Sequence, residues 1–339
     1  MAMRATVRDV AALAGVSPKT VSNVINGGVP VRPDTRERVE AALAQLDYVP
    51  NLSARGLRNG RTGVIALALP DLSTAYSAEL ARWFVELAHD RGWAVQIEQT
   101  GSDAARELAL ISRARAHLVD GLVLNPVTLR GSAVAEGYSN LPPTVVIGEV
   151  QPRGVDQVHV DSYAAAREMT EHLLGLGHRR IAIVGASDES FRSATSELRE
   201  RGHRDALGAA GVEHDPSLDV TVLEWSSRAA AEAFEQFLNV HEIPDAVFCF
   251  TDSMALGVLH VLASRGIAVP GRVSVVGFDD IAEAAFAVPA LTTVSFDKRA
   301  IATAALTALQ RRIDDREGER QIAVIPHGLV VRGSTAPRA

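Results

Sequence analysis

A small all-α helix-turn-helix unit joined to a larger α/β core of two parallel-sheet lobes is the fold class this sequence predicts. Three observations predict it. The N-terminal stretch carries short helical patterns with tight turns and no strand pattern. From Gly63 onward, continuous apolar runs alternate with amphipathic stretches of helical spacing. Charge divides the chain at the same place. Residues 1–61 hold nine Lys or Arg against five Asp or Glu, a net of +4; the whole chain carries −7, so the rest carries −11. A basic head on an acidic body suits a polyanion at one end only. Whole-chain charge alone would argue against nucleic acid.

The first helix is expected up to Ala14, with Val10, Ala11 and Ala14 on one face. Gly15-Val16-Ser17 reads as the turn. Ser17 is a favoured N-cap, Pro18 suits the first helical position, and Gly27 is a stop signal. In the second helix Val21, Val24 and Ile25 form an apolar back. Lys19, Asn23 and Asn26, spaced i, i+4, i+7, share the opposite face. A small helix with an apolar back and a polar, uncharged-to-basic front fits the DNA major groove. An ordinary surface helix pair is the plainer alternative. A third helix is expected over Pro33–Leu46, with Val39, Ala42, Leu43 and Leu46 inward.

Asp9-Val10-Ala11, Ala14-Gly15-Val16-Ser17, Thr20-Val21-Ser22, Asn26-Gly27, Thr35-Arg36-Glu37 and Tyr48-Val49-Pro50-Asn51 give the resemblance its specificity. This stretch resembles the headpiece and hinge of the lactose-repressor (LacI/GalR) family of bacterial transcription regulators. The resemblance runs over essentially the whole chain. It implies a homodimer reading a pseudo-palindromic operator in double-stranded DNA, because two-fold protein symmetry demands two-fold sites. It implies Lys19 and Asn23 as base readers, with Thr6, Ser17, Thr20, Ser22 and Asn26 positioning phosphates. Pro18 occupies the first base-reading position and can give only shape and apolar contact. Asn23 stands where many members have Arg, so the outer operator bases should differ from the commonest family sites. Arg32 replaces the Ser or Thr expected before the third helix, which weakens that cap. The hinge, Asn51 to Leu57 with Ala54 and Arg55, would fold to a helix on the minor groove, Leu57 wedging a base step. Gly56 weakens such a helix by roughly 0.5–1 kcal/mol relative to Ala.

Val64–Leu69 is a continuous apolar run, as expected for a strand buried on both faces. Further strands are expected at Ala94–Glu98, Gly121–Leu124, Thr144–Ile147, Ile181–Val184, Val220–Leu223, Ala246–Phe250 and Val273–Val276. Amphipathic helices lie between most of them: Ser77–Arg91, Asp103–Leu118, Ser162–Leu176, Arg199–Ala210, Arg228–Val240 and Ser253–Arg265. Strand alternating with helix implies parallel sheets with right-handed crossovers, and so many strands imply two sheets. The family resemblance adds what spacing cannot: a periplasmic-binding-protein-like core of two Rossmann-like lobes, the chain crossing between them near Asp161, Thr292 and Ala323. The expected domains are a headpiece 1–49, a hinge 50–62 and a core 63–339. The core's first lobe would be about 63–161 with 293–323 and its second about 162–292 with 324–339, each crossing placed to within a few residues.

Catalytic and cofactor motifs are absent. Gly175-Leu176-Gly177-His178 precedes a strand instead of following one, so it is a helix stop and not a dinucleotide fingerprint. There is no P-loop, nucleophile elbow or zinc-ligand cluster, and the ten His are scattered. No enzyme activity, cofactor or metal is expected. The lone Cys249 lies in an apolar run, so no disulfide within the chain is possible and a buried strand thiol is expected. With no signal-like N-terminus and no run approaching eighteen apolar residues, neither membrane nor export is expected, and the expected location is cytoplasmic.

In open parallel sheets ligands lie outside the carboxyl ends of the strands. The residues just past those ends are Tyr76, Asn125, Glu149, Arg199, Trp225, Asp252, Asp279 and Phe296. Each matches a position at which the resembled family contacts effectors. Carboxylates, an amide and an arginine can pair with vicinal hydroxyls while aromatic plates cover an apolar ring face, which suits a sugar-like small molecule. Plainer roles stay open: Asp252 and Asp279 as helix caps, Trp225 as core, Arg199 in a surface ion pair. Asp279-Asp280 could also be paired catalytic carboxylates. Thr251 stands where many members have Asn, one amide fewer for a hydroxyl. The expected function is a sequence-specific DNA-binding regulator, a repressor of carbohydrate-utilisation genes under effector control. The alternatives are a sugar-processing enzyme or solute-binding protein carrying a DNA-binding head, or a regulator that answers to a nucleobase or other metabolite.

Overall fold

The computed structural model describes residues 5–26, 29–48, 61–101, 103–112, 118–127, 134, 141–152, 154–187 and 193–338. The chain divides into two units, residues 1–62 and 63–339.

The first unit holds α1 (Val7–Ala14), α2 (Pro18–Asn26) and α3 (Pro33–Gln45). Thr6 caps α1 reciprocally with Asp9: the Asp9 amide bonds the Thr6 hydroxyl at 3.4 Å, and the Thr6 amide bonds the Asp9 carboxylate at 2.8 Å. Gly15 ends α1 at φ 64° and ψ 38°, a left-handed conformation that a Cβ would penalise. Ser17 accepts the Thr20 amide at 3.1 Å and so opens α2. Val10, Ala11, Ala14, Val21, Val24, Val39 and Ala42 close the small core. Arg32 precedes α3 without any side-chain cap bond.

In the second unit β1 (Val64–Leu69), β2 (Ala94–Gln99), β3 (Gly121–Leu124), β4 (Thr144–Ile147), β5 (Asp156–Val160) and β11 (Ile322–Ile325) build one sheet. Its order is β11-β5-β4-β3-β1-β2, parallel throughout. The other sheet holds β6 (Ile181–Ala186), β7 (Asp219–Thr221), β8 (Ala246–Cys249), β9 (Ser274–Phe278), β10 (Thr292–Phe296) and β12 (His327–Val330). Its order is β12-β10-β9-β8-β6-β7, and only the β10–β12 pair is antiparallel. Helices α4 (Ala75–Asp90), α5 (Ala104–Ile111) and α11 (Lys298–Asp314) belong with the first sheet. Helices α6 (Ser162–Gly175), α7 (Ala194–Ala209), α8 (Ser227–Val240), α9 (Asp252–Ser264) and the short α10 (Ala282–Phe286) belong with the second. Fully buried Phe84, Phe234, Phe248, Phe250 and Phe278 fill the space between sheets and helices.

The chain leaves the first sheet after Val160, returns after Phe296 and crosses again at Pro326. The second crossing thus falls after Phe296, a few residues past the expected Thr292. Thr292, Thr293 and Val294 pair with Val276, Gly277 and Phe278, which keeps all of β10 in the second lobe. Val324 and Ile325 pair with His159 and Val160, so the last crossing falls at Pro326, within a few residues of the expected Ala323.

Strand β5 is not expected from the sequence, because Asp156-Gln157-Val158-His159-Val160 is no apolar run. Its polar residues are satisfied from a distance. Asp156, buried, receives Arg311 at 2.8 Å and Arg312 at 3.0 Å, and the Gln157 amide donates to the Gly148 carbonyl at 2.7 Å. These bonds hold the Asp156 carboxylate below its usual range, against the opposing effect of burial. The expected strand Val220–Leu223 shifts to Asp219–Thr221, and Leu223 is exposed. Helix α5 is observed to Ile111; residues 113–117 of the expected longer helix lie outside the described residues.

Gly257 lies where α9 crosses α8. A Cβ there would overlap the Ser227 carbonyl oxygen. Gly257→Ala is expected to destabilise the core by about 1–3 kcal/mol, the usual result of overpacking. Gly208→Ala on α7, where a Cβ would meet nothing within 4 Å, serves as the control. It is expected to leave the urea midpoint equal or higher, since alanine restricts the unfolded chain.

Candidate functional site

Two features of the described residues can carry function: the front of α2 and a cavity in the second unit. On α2, Val21 and Val24 are buried, Pro18 and Lys19 are exposed, and Thr20, Ser22 and Asn23 are partly exposed. Lys19 thus projects an ammonium from a helix whose opposite side is anchored in the core. Among the expected phosphate contacts, Thr6 and Ser17 already serve the helix starts. The Thr6 hydroxyl donates to Asp9 at 2.7 Å, and the Ser17 and Thr20 hydroxyls share a bond of 2.9 Å. These side chains are fixed in place at the rim of the helix pair. The side chain of Asn26, and Asn51, Ala54, Arg55 and Leu57 entirely, lie outside the described residues.

The cavity measures about 500 Å3, and its lining comes from the ends of strands in both sheets. Seven of the eight expected effector residues line it: Tyr76, Asn125, Glu149, Arg199, Trp225, Asp279 and Phe296. The first lobe supplies Tyr76 from the first turn of α4, Asn125 past β3 and Glu149 past β4. The second lobe supplies Arg199 from α7, Trp225 ahead of α8, Asp279 past β9 and Phe296 from the end of β10.

Arg199 organises this space. Its guanidinium lies over the Phe278 ring, 3.4 Å from the centroid, and 5.9 Å from that of Trp225. Its Nη1 donates to the Phe250 carbonyl and its Nε reaches the Ser162 hydroxyl at 3.3 Å. Ser162 in turn donates to Glu149 at 2.5 Å, and Thr195 donates to the other Glu149 oxygen at 2.7 Å. Burial pulls Arg199 below its usual range, opposed first by the neighbouring Asp279 carboxylate. Burial also pushes Asp279 well above the carboxylate range, again with Arg199 opposing. The surface ion pair once open for Arg199 is excluded, since it is buried. Tyr76 and Phe296 meet edge to face at 6.2 Å, and burial pushes the Tyr76 hydroxyl upward. The indole Nε1 of Trp225 is buried without a partner among the described residues.

Asp252 is a correction to the expected set. Thr251 and Ser253 line the cavity, but Asp252 does not. Its carboxylate turns inward, accepting the Thr293 hydroxyl at 2.6 Å and the Ile281 amide at 2.9 Å. A Cβ on Gly277 would overlap it, which accounts for glycine there. Asp252 ties β10 and the turn after β9 to the start of α9. Thr251 is the cap of α9, accepting the Met254 amide at 3.2 Å.

Burial pushes Asp252 up from 3.8 to about 7. The folded state then holds a proton that the unfolded state has lost across that window. The resulting contribution to stability is full below pH 3.8, falls as pH rises, and is gone above about pH 7. The stability of the native sequence relative to Asp252→Asn should therefore fall with pH there, at up to about 1.4 kcal/mol per unit. Urea midpoints of both proteins measured from pH 4.5 to 8 check this; parallel curves would refute it.

Several lining residues were not singled out in the sequence. Thr195 sits in the first turn of α7, which Ser193 caps. His159 and Val160 end the strand that the apolar pattern missed. Gln99 ends β2 and Glu224 lies just past β7, and only the rule of strand ends points to them.

Residues 6–51 match the model of bacterial regulatory proteins of the lacI family, and residues 170–335 match the periplasmic binding protein-like domain. The chain is 34% identical over 341 residues to the HTH-type transcriptional regulator DegA of Bacillus subtilis, which covers 99% of each chain. It is similar to the structure of the transcriptional regulator CelR in complex with cellobiose, at 30% identity and a TM-score of 0.72, over 98% of this chain and 100% of that one. It is also similar to the Lac repressor dimer bound to operator and the anti-inducer ONPF. That match has 27% identity and a TM-score of 0.82, over 98% of this chain and 100% of that one. With the same head and two-lobed core matched over nearly all its residues, the chain belongs to the lacI family of bacterial transcription regulators.

Proposed function

We propose that this regulator represses carbohydrate-utilisation genes and that an uncatalysed, reversible encounter with a sugar-like molecule controls it. The observation that carries this reading is the cavity, where Asn125 and Asp279 offer hydrogen-bonding groups beside the rings of Tyr76, Trp225 and Phe296. That mixture recognises hydroxyls on the rim of a ring and covers its apolar face. The similarity to CelR, whose structure holds cellobiose, supports the same ligand class.

Residues 1–49 would form the headpiece, 50–62 the hinge and 63–339 the effector core. In a homodimer, working in the cytoplasm, two heads would read a pseudo-palindromic operator, as the two-fold rule requires. Phe286 and Val288, 84% and 93% exposed, offer apolar surface for self-association. A ligand that prefers one lobe arrangement shifts operator affinity only by that preference.

Thermal shift with cellobiose, glucose, galactose and ribose, followed by gel shift on the chain's own upstream DNA, tests this. One sugar should raise the melting midpoint, change operator retention, and be recovered unaltered. Turnover of the sugar would establish an enzyme instead. No shift with any sugar, but a shift with a nucleobase, would replace the sugar reading.

A further inference from the structure

The turn after β9 holds two non-glycine residues at positive φ, Asp279 at 118° and Asp280 at 50°. Such backbone is strained and persists only where its surroundings over-determine it. Here the surroundings include a buried lysine. Lys298 Nζ donates to the Asp279 carbonyl at 2.6 Å and to the Asp280 carbonyl at 3.0 Å. It also pairs with Glu79 Oε2 at 3.0 Å, while Glu79 Oε1 accepts the Ala282 amide at 2.7 Å. Arg332 holds the Asp280 carboxylate at 2.7 Å from the other side.

Two features mark Lys298 as more than packing. It is 7% exposed, so its charge is carried inside the protein. It is also the first residue of α11, a 17-residue helix whose N-terminal dipole disfavours a cation. Both costs are offset where the ammonium meets the two carbonyls of the strained turn and the Glu79 carboxylate.

We infer that Lys298, paired with Glu79, is the positioning residue that presents Asp279 to the cavity. The inference rests on the effector-site reading above. Lys298 and Glu79 come from helices of the first lobe, whereas the turn they hold belongs to the second. The aim of the Asp279 carboxylate is thus set by both lobes together. A change in lobe arrangement alters this residue's geometry, and a ligand that engages Asp279 selects the arrangement in which Lys298 reaches both carbonyls.

The test uses the full chain, cellobiose as probe, and the variants Lys298→Met, Asp279→Asn and the double variant, with calorimetric titration. Lys298→Met should weaken cellobiose binding by at least roughly tenfold, the scale of charge-assisted hydrogen bonds. In the Asp279→Asn background the same change should add little further loss, because Lys298 acts through Asp279. A purely structural role would give equal losses in both backgrounds and overturn the inference. Glu79→Ala, at a partly exposed position, is the second variant and should weaken binding in the same direction. A crystal structure of unliganded Lys298→Met, or of Glu79→Ala if the former does not fold, decides independently of any sugar. The Asp279–Asp280 turn should relax and the carboxylate leave the cavity; an unchanged turn overturns the inference. If cellobiose fails to bind the unmutated protein, the cellobiose reading fails, and the turn geometry alone decides the role of Lys298.

Discussion

Arg199→Ala is expected to abolish the effect of ligand on operator binding and to lower stability by on the order of 3–5 kcal/mol. The guanidinium is the cation shared by Asp279 and Glu149, and it also donates to the Phe250 carbonyl. Truncation leaves the Phe250 carbonyl without this donor and the two carboxylates without this neighbouring charge, beside an emptied surface on Phe278. Removing one partner from a buried network costs more than the network is worth in sum, because the survivors stay desolvated. Arg199→Lys should recover only part of the loss, since an ammonium cannot stack on the ring while bonding in two fixed directions. Urea midpoints read the first effect and gel shifts with and without sugar read the second. An unchanged midpoint together with an unchanged sugar response would refute the assignment.

Lys19→Ala is expected to weaken specific operator binding by about 1–3 kcal/mol, the scale of a good base contact, with a far smaller loss on random DNA. The exposed Lys19 lies in the first turn of α2, whose opposite face is fixed by Val21 and Val24 in the small core. Substitution there leaves the packing of α2 intact, so an affinity change reports on DNA contact and not on folding of the head. Titrations at two salt concentrations separate the roles. A loss equal on operator and random DNA, with a shallower salt slope, would make Lys19 a phosphate contact.

Much of this architecture is legible in the residues themselves. β1 announces itself as a run of aliphatic residues, and the head by Gly15, Ser17 and Pro18 at the turn. β5 is hidden because burial there depends on Arg311 and Arg312, more than a hundred and fifty positions away. Local pattern cannot record a charge neutralised by so distant a partner. The cavity is similar. Tyr76, Asn125 and Phe296 follow from the rule of strand ends, but the same rule offers Asp252, which turns inward to Thr293. Whether a carboxylate past a strand faces ligand or neighbour is decided by the opposing strand, which the local sequence does not show. Lys298 carries no signal of this kind in the sequence, where neither it nor its helix stands out. Its burial is accounted for by the Asp279 and Asp280 carbonyls and the Glu79 carboxylate, which the fold alone brings to it.

The three passages of the chain between the sheets have a consequence for the order in which the protein is made. A ribosome delivers the DNA-reading head first, then five strands of the first sheet, then the whole second sheet except β12. Only afterwards come α11 and β11, which complete the first sheet. At about 5–20 residues per second, that interval leaves the nascent first lobe unfinished for seconds to tens of seconds. During it Asp156 has neither of its arginines, and β5 is an open edge. A nascent chain can thus present a DNA-binding surface before it has a cavity able to sense anything. A chain cut short before α11 would keep the head but leave the first sheet without β11 and the second without β12.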